Sequence, residues 1–270
     1  MIQPGIQRPR IGPLRLMPGL TMGVLAVPVA AGLWGTLAPA LRPGALEALA
    51  AWPGLLPAVS LSLVTGIGST AAALAITLLI LAALRGTAAF AALLRLLSPL
   101  LSVPHAAAAL GLAFLIAPSG WIARALSPWA SGWTTPPDLL TLNDPDGMAL
   151  AFGLVAKEVP FLLLMALAAL PQTDAARRIA LAGTLGYGPA AAFLLTVLPA
   201  LYRHLRLPVY AVLAYAMTVV DMAQILGPTR PPTLAVQITL WMTDAGLGGR
   251  PLASAGALVQ VGLVLAALAL

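Results

Sequence analysis

The chain alternates long apolar runs with shorter segments rich in proline, glycine or arginine. Six runs, at 17–37, 59–81, 96–117, 148–170, 207–226 and 253–270, approach the roughly 20 apolar residues that a membrane span requires. Backbone amides in lipid must be satisfied within the segment, and these runs are too long for barrel strands, so the pattern predicts helices. The intervening segments differ from one another. Residues 38–58 are apolar but broken by Pro39, Pro43, Pro53 and Pro57, which predicts a segment lying along the membrane surface. Residues 118–147 carry Trp121, Trp129 and Trp133, then Pro136-Pro137 and Asn143-Asp-Pro-Asp-Gly147. That predicts an interfacial helix followed by a turn-rich loop. Residues 171–206 form the remaining sizeable insertion.

Composition turns this pattern into a class. Of 270 residues, 60% are hydrophobic and 8% charged, against the ~25% charged residues of soluble domains. An all-α, polytopic membrane protein with about six transmembrane helices follows. The absence of cysteine excludes disulfides, thiolate metal sites and thiol nucleophiles. The formal charge of +6 does not indicate nucleic acid, because the arginines are scattered and form no patch. Their distribution is a topology signal instead. With the N-terminus inside, nine arginines (8, 10, 15, 85, 95, 177, 178, 203 and 206) fall in the cytoplasm and four (42, 124, 230 and 250) outside. All six tryptophans fall at or near the outer boundary, which suits indole rings. Both termini are therefore expected inside. The basic start leads into a span with no cleavage site, and no internal repeat is visible.

The 171–206 insertion has a readable local design. Pro171 ends the fourth run, and Thr173 or Asp174 can cap a new helix. Ala175, Ile179, Ala182 and Gly186 recur at helical spacing as a small-residue stripe. Gly186 and Gly188 permit a left-handed turn, and Pro189 suits the start of a second helix. That helix carries Phe193 and Leu194 and is expected to stop at Pro199. The product is a two-helix knob at the cytoplasmic face.

The stretch 180–199 resembles the cytoplasmic coupling loop of permease subunits in binding-protein-dependent type I ABC importers, roughly Glu-Ala-Ala, three residues, Gly, then a distal Leu-Pro. Gly186 takes the glycine position, preceded by Leu185, and Val197-Leu198-Pro199 close the motif. Ser60-Leu61, Asp221, Leu226-Gly227 and Thr233-Leu234 are similar to placements common in these permeases. The family's glutamate would fall at Ala180, so the acidic residue is absent. Tyr187-Gly188-Pro189 and Lys157-Glu158-Val159-Pro160 look most like the thiamine- and iron-type branch. The resemblance implies a division into 1–55 (tail, first helix, external loop) and 56–270 (permease core with its coupling loop at 171–206). It implies an ATPase-contacting set of Ala182, Leu185, Gly186, Tyr187, Gly188, Pro189, Phe193, Leu198 and Pro199. It also implies three protein partners: an ABC ATPase subunit, a second permease half (identical or different) and an external solute-binding protein. The expected location is the bacterial inner membrane. This chain would bind no cofactor, because it has no G-x-x-x-x-G-K-[ST] phosphate loop; Gly66-Ile-Gly-Ser-Thr lacks the lysine. ATP would be used by the partner.

Three ionisable residues fall inside predicted spans: Lys157, Glu158 and Asp221. Each costs about 2.5–3.5 kcal/mol at a helix centre, so each should face protein or water. Lys157 and Glu158 are adjacent and point about 100° apart. A Lys157–Asp221 pair would leave Glu158 facing the translocation path, where it would favour a small cation or a cofactor such as thiamine. The competing role is a structural ion pair bracing two helices. His105 is expected to bond a backbone carbonyl, and His204 to join the basic inner loop. A secondary transporter or channel is the alternative function; it would call for inverted repeats or paired broken helices, and the sequence displays neither. An intramembrane enzyme lacks its motifs, H-E-x-x-H and G-x-S-x-G.

Overall fold

The computed structural model describes residues 17–246 and 248–269; Arg8, Arg10 and Arg15 of the expected basic tail lie outside the described residues. The described chain is helical, with no strand among the described residues. It begins with α1 (Met17–Leu37), a 3-10 turn (Ala38–Leu41) and the short α2 (Ala45–Ala50). Next come α3 (Leu55–Leu84), α4 (Ala88–Ser102), α5 (His105–Ile116) and α6 (Trp121–Leu126). After a loop the chain forms α7 (Met148–Ala169), the knob helices α8 (Ala175–Thr184) and α9 (Pro189–Ala192), and α10 (Leu198–Thr218). The remainder is α11 (Asp221–Leu226), α12 (Leu234–Thr243) and α13 (Gly249–Leu268).

Five stretches are long and apolar enough to cross a membrane: Met17–Leu41, Leu55–Leu84, His105–Leu126, Met148–Thr173 and Gly249–Leu268. The expected runs at 17–37, 59–81, 148–170 and 253–270 correspond to α1, α3, α7 and α13. The other two need correction. The 96–117 run is broken at Val103-Pro104, since Pro104 cannot donate to the carbonyl one turn back. The 207–226 run begins nine residues earlier, at Leu198, and breaks at Val219-Val220. At 21 residues, α10 is long enough to span about 30 Å, but Arg203, His204 and Arg206 dilute the apolarity of its first half.

The helices α3, α7 and α10 pack together at the centre of the bundle. α3 and α10 meet closely at Gly66, where an added Cβ would come 2.5 Å from Met217 Cγ and 3.3 Å from the Met217 backbone, so a side chain there would crowd α10. Two apolar clusters divide the bundle. One buries Leu162, Leu163, Val197, Leu201 and Leu205 near the knob. The other buries Leu150, Leu154, Met222 and Leu226 toward the opposite end. On α7, Lys157 and Glu158 lie between them. A hairpin of α12 and α13 flanks the centre, and α1 rests on α13. No residue of α1 is buried, which in a membrane leaves its sides to lipid. A Cβ on Gly19 or Gly23 would meet nothing within 4 Å, so this Gly-x-x-x-Gly pair seats no other helix among the described residues.

Backbone groups freed by the irregular segments are taken up by buried polar side chains, as a lipid environment demands. Gln260 Nε2 donates to Met217 O at the end of α10 (3.0 Å). Asn143 Nδ2 donates to Gly227 O (2.7 Å). Leu234 N, opening α12, donates to Ser62 Oγ (3.0 Å). The Asp144 carboxylate accepts from Met148 N (2.7 Å) and Ala149 N (2.9 Å), capping α7. These connections set how the helices meet, and sequence patterning points to none of them.

Candidate functional site

Two features carry the residues singled out by sequence. The first is a cavity of about 340 Å³ between α7, α10 and the α4–α5 elbow, lined by Leu101, His105, Lys157, Glu158, Phe161, Ala211, Val212 and Tyr215. Its polar groups are contributed by three elements, and each is placed by a helix break or by helical register.

Lys157 is 8% exposed and does not form the expected pair with Asp221. Its Nζ donates to Leu100 O (2.9 Å) and Val103 O (2.8 Å). The reason is the elbow. Leu100 O would normally accept from the amide four residues on, but that residue is Pro104, which has no N–H. The ammonium replaces the missing donor, and its positive charge suits the carbonyl end of α4. Lys157 is therefore a brace of the elbow. Exchanging it for methionine is expected to lower thermal stability by about 2 kcal/mol, because two carbonyls lose their donor. Thermal unfolding in detergent checks this, and a stability equal to wild type would remove the brace role.

Glu158, 4% exposed, follows Lys157 by 100° around α7 and lines the cavity. Among the described residues none donates a hydrogen bond to its oxygens, and it is the sole carboxylate among the lining residues. His105, expected to bond a carbonyl, instead packs against Tyr215 with ring centroids 4.7 Å apart and ring planes tilted by 50°. Tyr215 was not anticipated from sequence. Its signal is the 211, 212, 215 spacing, which places three α10 residues on one face. Asp221 opens α11 beyond the break and is exposed; it does not line this cavity.

The second feature is the knob. Helix α8 ends in a Schellman turn: Tyr187 N donates to Ala182 O (3.1 Å) and Gly186 N to Gly183 O (3.0 Å). Gly186 supplies the left-handed residue, φ +83°, that this motif requires. Gly188 does not share that role; its backbone is extended. Ala182 and Phe193 are buried and hold the two arms together. Leu185 (77% exposed) and Tyr187 (49%) project from the tip, beside exposed Gly188 and Pro189.

The second arm corrects the expectation for Pro199. It does not stop at that proline. It passes from α9 through a π turn (Phe193–Val197) directly into α10. Pro199 lies in the first turn of α10, directly after the π turn, and Leu198 is half-buried beside it. Arg178 of α8 ties the two arms together: Nη1 donates to Thr196 O in the π turn (3.3 Å) and Nε to Thr173 O (2.9 Å). The second arm of the knob is thus continuous in sequence and helix with α10, which carries Pro208 in its interior and lines the cavity beyond it.

No protein-family profile matches the chain. A curated relative does. The inner membrane ABC transporter permease protein YnjC of Escherichia coli (strain K12) is 30% identical over 226 residues, covering 84% of this chain. The chain spans 42% of that relative's length. The likeness carries the permease class, and that relative's name specifies no thiamine- or iron-type branch. Over most of its length, then, this all-helical, multi-pass membrane chain is related to an ABC transporter permease.

Proposed function

We propose that the chain is a permease subunit of an ATP-driven importer in the bacterial inner membrane, supplying half of a translocation pathway and docking a separate ATPase through its knob. The observation that carries this reading is the mechanical continuity from Gly186 through the π turn into α10. Force applied at the knob tip would travel along one helix to Ala211, Val212 and Tyr215 at the cavity wall. The exposed tip of Leu185, Tyr187 and Pro189 is apolar enough to seat in a groove on such a partner. The basic residues of the knob end, Arg85, Arg177, Arg203 and Arg206, fit the cytoplasmic side.

A single bundle of this size cannot surround a pathway alone, so a second half completes it. The named relative is more than twice as long as the stretch it shares, which leaves room there for a second unit of this size. An external binding protein would deliver solute at the opposite end, and this chain would carry no cofactor or catalytic residue of its own. In the cavity Glu158 favours a small cation or a cofactor such as thiamine, as in the thiamine/iron branch.

One observation favours the other transport reading. Two helices, α4–α5 and α10–α11, are broken, as in secondary transporters. Co-purification separates the two. The importer reading expects a stoichiometric ATPase subunit to remain with the chain and its ATP hydrolysis to rise with solute. Solute accumulation by the chain in vesicles without any ATPase would overturn it.

A further inference from the structure

At the end of the molecule opposite the knob, a cavity of about 470 Å³ is lined by Gly35, Pro39, Arg42, Met242, Arg250 and Ser254. It lies where the end of α1 and the 3-10 turn meet the end of α12 and the start of α13. Its chemistry is one-sided. Arg42 and Arg250 have no partner for their guanidinium groups among the described residues, and no carboxylate lines the space; Glu47 and Asp244 are both outside it.

The third polar group is the informative one. Ser254 is 0% exposed, and its hydroxyl has no hydrogen-bond partner. Among the described residues it shares this with Thr141 and Thr233, neither of which lines the cavity, whereas other buried hydroxyls bond back to their own helix. Ser62, Thr65, Ser69, Thr70 and Thr77 of α3 all do so. A buried hydroxyl left open costs about 1–3 kcal/mol, and a ligand oxygen would remove that cost. Helix α13, 20 residues long, begins at Gly249 with no side-chain cap, so the positive end of its dipole lies at the same place.

We propose that this cavity binds a phosphate group. Two free guanidinium groups suit phosphate oxygens, the serine hydroxyl supplies a third donor, and Gly35, Pro39 and Met242 offer an apolar wall. The depth of the cavity indicates the source. Trp34 is exposed near the end of α1, and Trp52 meets Trp241 edge-on at 4.9 Å. Such aromatic residues mark the headgroup level of a bilayer, so the phosphate is that of an anionic lipid headgroup rather than a free ion. This site does not depend on the transport reading.

The test uses the full chain with any subunits that co-purify. Native mass spectrometry after exchange into phosphatidylglycerol or phosphatidylcholine measures retained lipid, and thermal unfolding with added inorganic phosphate provides the second arm. Wild type is expected to retain phosphatidylglycerol at least fivefold over phosphatidylcholine. The R42Q/R250Q double variant should lose that preference, and S254A, a change too small to disturb the fold, should weaken retention about threefold. Stabilisation by inorganic phosphate without lipid retention would uphold the phosphate site and make the free anion its occupant. Equal retention of both lipids with no phosphate response would overturn the proposal. So would S254A and R42Q/R250Q proteins that behave as wild type.

Discussion

With the knob docking an ATPase as proposed, replacing Gly186 by valine is expected to weaken that binding at least tenfold and to reduce solute accumulation in parallel. The change acts through the backbone alone. A Cβ at this position would meet nothing within 4 Å, so no clash arises inside the subunit. The cost comes from φ +83°, a left-handed conformation that disfavours an L residue by about 1–2 kcal/mol and a β-branched one most of all. Losing that turn releases the Tyr187–Ala182 and Gly186–Gly183 bonds and lets Leu185 and Tyr187 leave their positions at the tip. A tenfold loss corresponds to about 1.4 kcal/mol, within that range. Asparagine tolerates the left-handed region, so Gly186→Asn serves as the control and should retain most binding. Equal binding by the valine and asparagine variants would mean that the geometry of the turn is not what the ATPase reads. Full transport by the valine variant would remove the knob from the coupling role.

Replacing Glu158 by glutamine is expected to have the second large effect, and on a different quantity. The substitution keeps shape and burial while removing the one carboxyl group that lines the cavity. A cation held about 4 Å from a carboxylate gains on the order of 4 kcal/mol at an effective dielectric near 20. Part of that is offset by desolvation, so we expect uptake affinity for a cationic solute to fall roughly 30-fold or more. Stability should change little, because Glu158 pairs with neither Lys157 nor any backbone donor, whereas Lys157 has two acceptors. Comparing uptake kinetics with thermal stability separates the roles. Unchanged uptake with weakened assembly would make Glu158 structural and end its part in solute choice.

The two variants also show where sequence reasoning reached and where it stopped. The left-handed turn at Gly186 was legible because a local motif, Gly-Tyr-Gly-Pro after a helical stripe, specifies it without help from the rest of the chain. Lys157 and Glu158 were legible as interior residues because a charge in an apolar run has few affordable positions. Their partners were not. The natural guess paired Lys157 with a carboxylate, but the stronger demand came from the elbow: Leu100 O, which Pro104 leaves without a donor, and Val103 O at the break itself. Tyr215 belongs to a helix that looked like an ordinary span, and only its packing against His105 brings it to the cavity. Pro199 misled for a related reason: proline at a helix start and proline at a helix stop read alike until the hydrogen bonds are placed.

What the sequence settled by itself is the class of molecule: helices, because lipid offers backbone amides no other partner, and several of them crossing the membrane, because apolar length alone sets a span. It also placed the knob, whose turn is encoded within a few residues. Tertiary structure decided everything that requires two distant segments to meet. The elbow is held by Lys157 from across the bundle, α10 runs unbroken from the knob to the cavity wall, and Ser254 is left with an open hydroxyl beside two arginines. Hydropathy is a property of one segment at a time. Satisfying a freed carbonyl or burying a charge depends on which neighbour comes within about 3 Å, and packing alone determines that.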